Sequence, residues 1–206
     1  KDGLYTLAAG SRERRSAQTA LYLMADGLTR LLAPILSFTA DELWRHTPGA
    51  REESVHMALF PTVESLEALA DPALVERWNT LVALREQVLA QIEPLRKNKQ
   101  IGSSLQAKVV ISATANELPL LEQYAKQLPM LFIVSEVEVR PSTTDPSTGD
   151  DNGARSGQAS AKIVIERASG VKCERCWRIV PAVSSAPASA GLCDRCQDAL
   201  AETVHG

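Results

Sequence analysis

The chain has 206 residues, 45% hydrophobic and 23% charged, the composition of a globular protein with room for more than one small domain. No apolar run approaches the roughly 18–20 residues of a membrane span, and no basic-plus-apolar leader opens the sequence, so a soluble cytoplasmic protein with no membrane partner is expected. The net charge of -3 does not mark a nucleic-acid binder, but phosphate binding depends on local clusters rather than on the whole-chain sum. Lys1, not Met, opens text that already reads as helix, which suggests a piece cut from a longer protein.

Ser11 is placed to cap a long helix reaching about Ala33. Leu21, Met24, Leu28, Leu31, Leu32 and Ile35 recur at three- and four-residue steps and predict one buried stripe. Pro34 removes a donor and disfavours helical geometry at Ala33, so the helix should end or kink there. Thr39 followed by Glu42 fits a capping box for a short second helix carrying Leu43 and Trp44, stopped by Pro48-Gly49. Residues 50–70 are less regular. Asp71-Pro72 restarts a helix, with Leu74, Trp78, Leu81, Val82, Val88, Leu89, Ile92 and Leu95 as its apolar face.

The texture changes at Gly102. Leu105, Ala107, Val109 and Ile111 alternate with their neighbours as in a half-buried strand. A helix over Glu117 to Gln127 and a β-rich run from Leu131 to Val139 complete a small α/β unit. Residues 141–160 are rich in Ser, Thr, Gly, Asp and Pro, too polar to bury a core, and read as a flexible linker or extended loop. A strand over Lys162 to Arg167 leads into the last segment.

That segment holds every cysteine: Cys173, Cys176, Cys193 and Cys196, two CxxC pairs with sixteen residues between them. The spacing reads as one structural zinc ion per chain, held tetrahedrally by four thiolates at roughly 2.3 Å. Two disulfides are the alternative; a cytosolic setting and the crowding of all four thiols into one short segment argue against them. Four thiolates leave no position open for water, so a structural rather than a catalytic metal is expected. Lys172, Arg175, Arg178 and Arg195 lie where they offset the thiolate charge. Arg12, Arg14 and Arg15 form another basic cluster, and Arg96, Lys97 and Lys99 a third; each is either a phosphate-binding patch or an ordinary solvated face.

Arg14-Arg15-Ser16-Ala17-Gln18-Thr19-Ala20-Leu21 resembles the anticodon-binding helix of bacterial isoleucyl-tRNA synthetases, and so does the stretch from Leu32 to Trp44. Leu95-Arg96-Lys97-Asn98-Lys99-Gln100-Ile101-Gly102-Ser103-Ser104-Leu105 looks like that family's junction after its helical domain. Lys172-Cys173-Glu174-Arg175-Cys176-Trp177 is similar to its C-terminal zinc motif. The pieces occur in the family's order over nearly the whole chain, and the ordered set is the specific signal.

The resemblance implies a multidomain, mainly α fold. A helical anticodon-binding domain over 1–100, truncated at its start, is followed by a small α/β junction over 101–140. A linker over 141–161 then leads to a strand with a four-cysteine zinc knuckle over 162–206. It implies a monomeric class I ligase that joins isoleucine to tRNA(Ile) with ATP, its catalytic and editing domains lying upstream. No HIGH or KMSKS signature occurs here, so this piece is expected to be inactive alone, with ATP confined to the missing domain.

Arg14, Arg15, Arg96, Lys97, Lys99, Arg175, Trp177 and Arg178 are the candidate RNA contacts. Trp177 has two readings: stacking on an unpaired base of the anticodon loop, or packing in the module's own small core. Two other functions compete. The CxxC pairs also resemble the finger of formamidopyrimidine-DNA glycosylases, although Trp177 stands where those fingers carry Gly; the other is a zinc-stabilised protein-interaction scaffold.

Overall fold

In the computed structural model, which describes residues 2–142 and 161–201, Ser11 caps the first long helix, its hydroxyl accepting from the Arg14 N–H at 3.3 Å. The first elements in chain order are α1 (Asp2–Tyr5), α2 (Arg12–Leu32), α3 (Ser37–His46), a 3-10 turn (Val55–Met57) and α4 (Val63–Glu67). After α2 the N–H groups of Ile35 and Leu36 both bond back to the Leu32 carbonyl, so the chain turns at Pro34 and re-enters helix at Ser37. This tight return overrides the expected Thr39–Glu42 capping box. Thr39 lies inside the first turn, and the residue at the cap is Leu36, which has no side-chain bond to offer.

The described residues divide into two compact units, one up to Pro72 together with those from Asp198 onward, the other Ala73–Gln197. The first has a small core of Ala33, Ala40, Trp44 and Val55. Trp44 Nε1 donates to the Glu52 carbonyl at 2.8 Å, and the Arg51 guanidinium lies 4.3 Å from the Trp44 ring centroid. Asp41 accepts from the Ser54 hydroxyl at 2.6 Å and the Val55 N–H at 3.2 Å; the Ser54 bond is the chief cause holding its carboxyl below the usual range, against the opposing effect of burial.

The predicted α2 stripe is not buried. Leu21, Met24, Leu28, Leu31, Leu32 and Ile35 are all exposed, and only Thr29 of α2 is fully covered. Within its unit α2 meets α1, α3 and the 3-10 turn, and the last two pack through small residues around Ala33 and Ala40. Helical periodicity marks which face is apolar; it does not supply the elements to cover that face.

In the second unit α5 (Pro72–Lys97) turns Leu81, Leu84, Val88 and Ile92 into the core, with Trp78 and Leu95 half-buried. Leu74 and Val82 are exposed, while Leu84, absent from the expected apolar face, is buried. A 3-10 turn (Ser104–Gln106) precedes β1 (Ala107–Ala113), α6 (Leu118–Gln123), α7 (Leu128–Phe132), β2 (Glu136–Pro141) and β3 (Lys162–Arg167). The sheet order is β2-β1-β3, with β2 parallel and β3 antiparallel to β1; Val109 pairs with both Val137 and Ile165. Because β1 is central, Ala107, Val109, Ile111 and Ala113 are buried on one face and Val110 on the other.

Phe132, Leu128, Leu121 and Val134 close the core, each worth about 1.5–3 kcal/mol of burial for a side chain of this size. Trp78 meets Tyr124 edge-on, centroids 6.0 Å apart, and Arg85 Nε donates to the Leu131 carbonyl at 3.0 Å.

Two local expectations fail here. The helix read over Glu117 to Gln127 stops at Gln123, and a separate short helix, α7, opens at Leu128 with Pro129 in its first turn, where a missing N–H costs nothing. The β-rich run from Leu131 begins as the end of α7; Ile133 takes a left-handed conformation (φ +58°) and β2 starts only at Glu136. The expected boundary at residue 100 falls inside the second unit. Of the expected linker, residues 143–160 lie outside the described residues, while Pro141 ends β2 and Ala161 is buried in the core.

Candidate metal centre and nucleic-acid interface

Two short strands, β4 (Val171–Lys172) and β5 (Ile179–Val180), pair antiparallel, and the turn joining them carries Cys173 and Cys176. The Cys173 N–H donates to the Arg178 carbonyl and the Trp177 N–H to the Cys173 carbonyl, both at 2.9 Å, and Trp177 takes φ +63° to close the knuckle. Gly170 sits at φ +125° with Val180 so close that a Cβ would lie 2.1 Å from its carbonyl oxygen, so only glycine fits. The second pair flanks the start of α8 (Asp194–Ala201), where the Cys193 carbonyl accepts from the N–H groups of Cys196 at 2.9 Å and Gln197 at 3.0 Å.

All four thiols are buried and unbridged, and their sulfurs lie within 4.8 Å of one another. Cys176 Sγ and Cys193 Sγ are 3.7 Å apart, close to the edge of about 3.8 Å of a tetrahedron with roughly 2.3 Å metal–sulfur bonds. The donor set therefore fits a structural zinc ion with no open coordination position. The thiols are electrostatically unequal. Burial works against ionisation of Cys173, but backbone N–H groups of Cys176, Cys193 and Arg175 outweigh it and bring it down to about 6. Burial pushes Cys193 up to about 12 and Cys196 upward as well. A divalent cation supplies the charge that lets all four ionise together. Arg175 Nη1 reaches Cys196 Sγ at 3.6 Å, the offsetting role expected of a cation in this segment.

The basic candidates are spread over both units. Arg14 is half-buried and donates to the Leu7 carbonyl at 3.2 Å, bracing the loop before α2; Arg15 beside it is exposed. Arg96 is exposed and paired with Glu93 at 2.7 Å on the last turns of α5, where Lys97 is exposed too. Lys99 ends that helix at φ +57°, a left-handed position that an L side chain occupies at a cost of about 1–2 kcal/mol. Arg178 is half-buried beside the knuckle. Trp177 lies outside the buried cysteine cluster, 61% exposed, with Lys172 Nζ 5.4 Å from its ring centroid.

One positioning residue was not legible in the sequence. Ser135 Oγ donates to the Leu105 carbonyl at 2.5 Å and accepts from the Ile179 N–H at 2.6 Å, tying the knuckle to the α/β platform next to Arg178. A lone serine before a strand carries no signal of such a bridge.

A chain whose first half is helical and whose cysteines close a finger of this shape belongs to a narrow class. Residues 1–111 match the anticodon-binding domain of tRNA ligase, and residues 170–199 match the zinc finger found in FPG and IleRS. The chain is a member of the tRNA-ligase anticodon-binding family. Among its relatives, the isoleucine--tRNA ligase of Syntrophotalea carbinolica is 43% identical over 203 residues, covering 98% of this chain and 21% of that protein. The isoleucine--tRNA ligases of Natranaerobius thermophilus (40% over 201 residues, 97% of this chain) and Staphylococcus haemolyticus (41% over 206 residues, 99%) are likewise matched over 21% of their length. The chain thus spans about a fifth of the curated relatives it matches. Among the described residues, no helix is long and apolar enough to cross a membrane.

Proposed function

We propose that the chain is the anticodon-reading, zinc-closed end of an isoleucine--tRNA ligase, and that it binds tRNA(Ile) while the rest of the protein joins isoleucine to that tRNA with ATP. The observation that carries this reading is the pairing, in one chain, of an anticodon-binding domain over 1–111 with the finger over 170–199, in a sequence aligned almost end to end with isoleucine--tRNA ligases. In this reading the chain alone makes no aminoacyl-adenylate, and the ligase works as a cytoplasmic monomer.

Cys173, Cys176, Cys193 and Cys196 hold one structural zinc; their mutual approach within 4.8 Å supports this. Arg14, Arg15, Arg96, Lys97 and Lys99 contact the tRNA backbone, and Arg175, Trp177 and Arg178 present the finger to its unpaired bases. Two of these, Lys99 and Trp177, stand among the three non-glycine residues with positive φ in the described chain, the kind of backbone outlier that collects at binding sites.

The test is a binding titration of the zinc-loaded chain against a tRNA(Ile) transcript and a duplex DNA of equal charge. Tighter binding of the tRNA supports the reading. Preference for the duplex favours the DNA-glycosylase-like finger, and binding of neither favours a protein-interaction scaffold.

A further inference from the structure

The four sulfurs are not equally shielded. A cleft of about 690 Å³ opens between the end of β5, the loop after it and the first turn of α8, and of the four cysteines it is Cys193 that lines it. Exposure follows the same division: Cys193 and Cys176 keep 6% and 8% of their surface, whereas Cys173 and Cys196 keep none. The fully buried pair is also chemically quieter. The Cys193 N–H donates to Cys173 Sγ at 3.3 Å and Arg175 Nη1 to Cys196 Sγ at 3.6 Å, and a hydrogen bond that stabilises a thiolate makes it a weaker nucleophile. The accessible pair is placed to react together, since Cys176 Sγ and Cys193 Sγ stand 3.7 Å apart across the knuckle. The finger thus has two guarded sulfurs and two open ones, and the open two come from different CxxC pairs.

We propose that Cys193 and Cys176 form a modification site for a small peroxide oxidant, which enters by the cleft and links them in a disulfide, so that the metal loses two of its four ligands. The site rests on the zinc-binding reading, because a bound zinc keeps both sulfurs as thiolates, the form that peroxides oxidise. Cys193 Sγ attacks one oxygen of hydrogen peroxide; an S–O bond forms, the O–O bond breaks and hydroxide leaves. Arg178 and Arg195 line the same cleft and favour the departing anion. Cys176 Sγ then attacks the sulfenic sulfur of Cys193, forming the S–S bond and expelling a second hydroxide. In sum, two thiolates give up two electrons to one peroxide, and two protons turn the hydroxides into water. Closure from 3.7 Å to a bond of about 2 Å needs only a small movement of the knuckle. Metal binding and folding are coupled in such fingers, so the bridged form is loosened, and a reductant with zinc restores it.

The experiment treats the zinc-loaded chain with about a tenfold excess of hydrogen peroxide, reads released zinc with a chromogenic chelator, and maps bridges by mass spectrometry after alkylating the free thiols. About one zinc should appear per disulfide, with Cys176–Cys193 the first bridge and Cys173 and Cys196 still alkylated; dithiothreitol with zinc should reverse it. Ala182 is exposed and lines the cleft, so Ala182→Trp, with its zinc content checked, should slow release about fivefold or more by narrowing the way in. A first bridge within either CxxC pair overturns the proposal, as does Ala182→Trp that holds its zinc and releases it at the parental rate. If that variant fails to hold zinc, the bridge map of the parent decides. A parent that carries no zinc while its thiols are free sinks the zinc reading and this site with it; a parent that carries zinc and keeps it under peroxide sinks this site alone.

Discussion

Replacing Trp177 with alanine separates binding from folding. The ring is 61% exposed, so about two fifths of its surface is covered. Removing it forfeits roughly 100 Å² of burial, an upper limit of about 2.5 kcal/mol at ~25 cal/mol/Å². Losing the Lys172 ammonium, 5.4 Å from the ring centroid, adds about 0.5–1 kcal/mol. Both are small beside the roughly 10–16 kcal/mol that structural zinc contributes to modules of this kind. Alanine inherits the same φ of +63° and adds no new strain. The variant should therefore keep its metal and its fold. A ring stacked on one base contributes about 1–3 kcal/mol, so tRNA affinity should fall about 5- to 150-fold. Fluorescence anisotropy with labelled tRNA(Ile), beside metal analysis and a thermal melt, reads all three quantities. Unchanged affinity with zinc retained refutes stacking, and loss of the metal shows that the ring is a structural part of the knuckle.

Three further outcomes are expected. Cys193→Ser should lose the metal and unfold the finger, while the parent, purified without added zinc, should carry about one ion per chain by elemental analysis. Gly170→Ala should break the β4–β5 pairing, because its Cβ would lie 2.1 Å from the Val180 oxygen; loss of amide protection at Val171 and Val180 in hydrogen exchange reports it. Glu138 is held down from its ordinary 4.5 to about 2 by its bond to Arg140 first and to Lys108 second. A folded value below the unfolded one stabilises the protein above pH 4.5, and that contribution is lost as pH falls toward about 2. Glu138→Gln should therefore lower the urea midpoint at pH 6 and converge on the parent near pH 2; a pH-independent difference would contradict the assignment.

What the sequence made legible follows the range of the forces involved. Ser11, Pro34 and the strand over Lys162 to Arg167 obey local rules of capping, ring closure and alternation, and each appears where those rules put it. The four cysteines were legible because metal ligation fixes residue type and spacing together. The α2 stripe was misjudged because burial depends on partners, which periodicity does not contain. The run from Leu131 was misread because a short apolar stretch fits a strand and a buried helix turn equally well, and Pro129 decides between them. Exposure of Trp177 and the Ser135 bridge depend on how distant segments meet, and neither has a local signature.

The central claim is that this chain reads the anticodon region of tRNA(Ile), and one comparison tests it most directly. The zinc-loaded chain is titrated with a tRNA(Ile) transcript and with the same transcript carrying a foreign anticodon loop, at one fixed salt concentration. Backbone contacts are common to both RNAs and cancel, so the difference isolates the unpaired bases. The native loop should bind about tenfold tighter or more. Equal affinity for the two transcripts would contradict the claim.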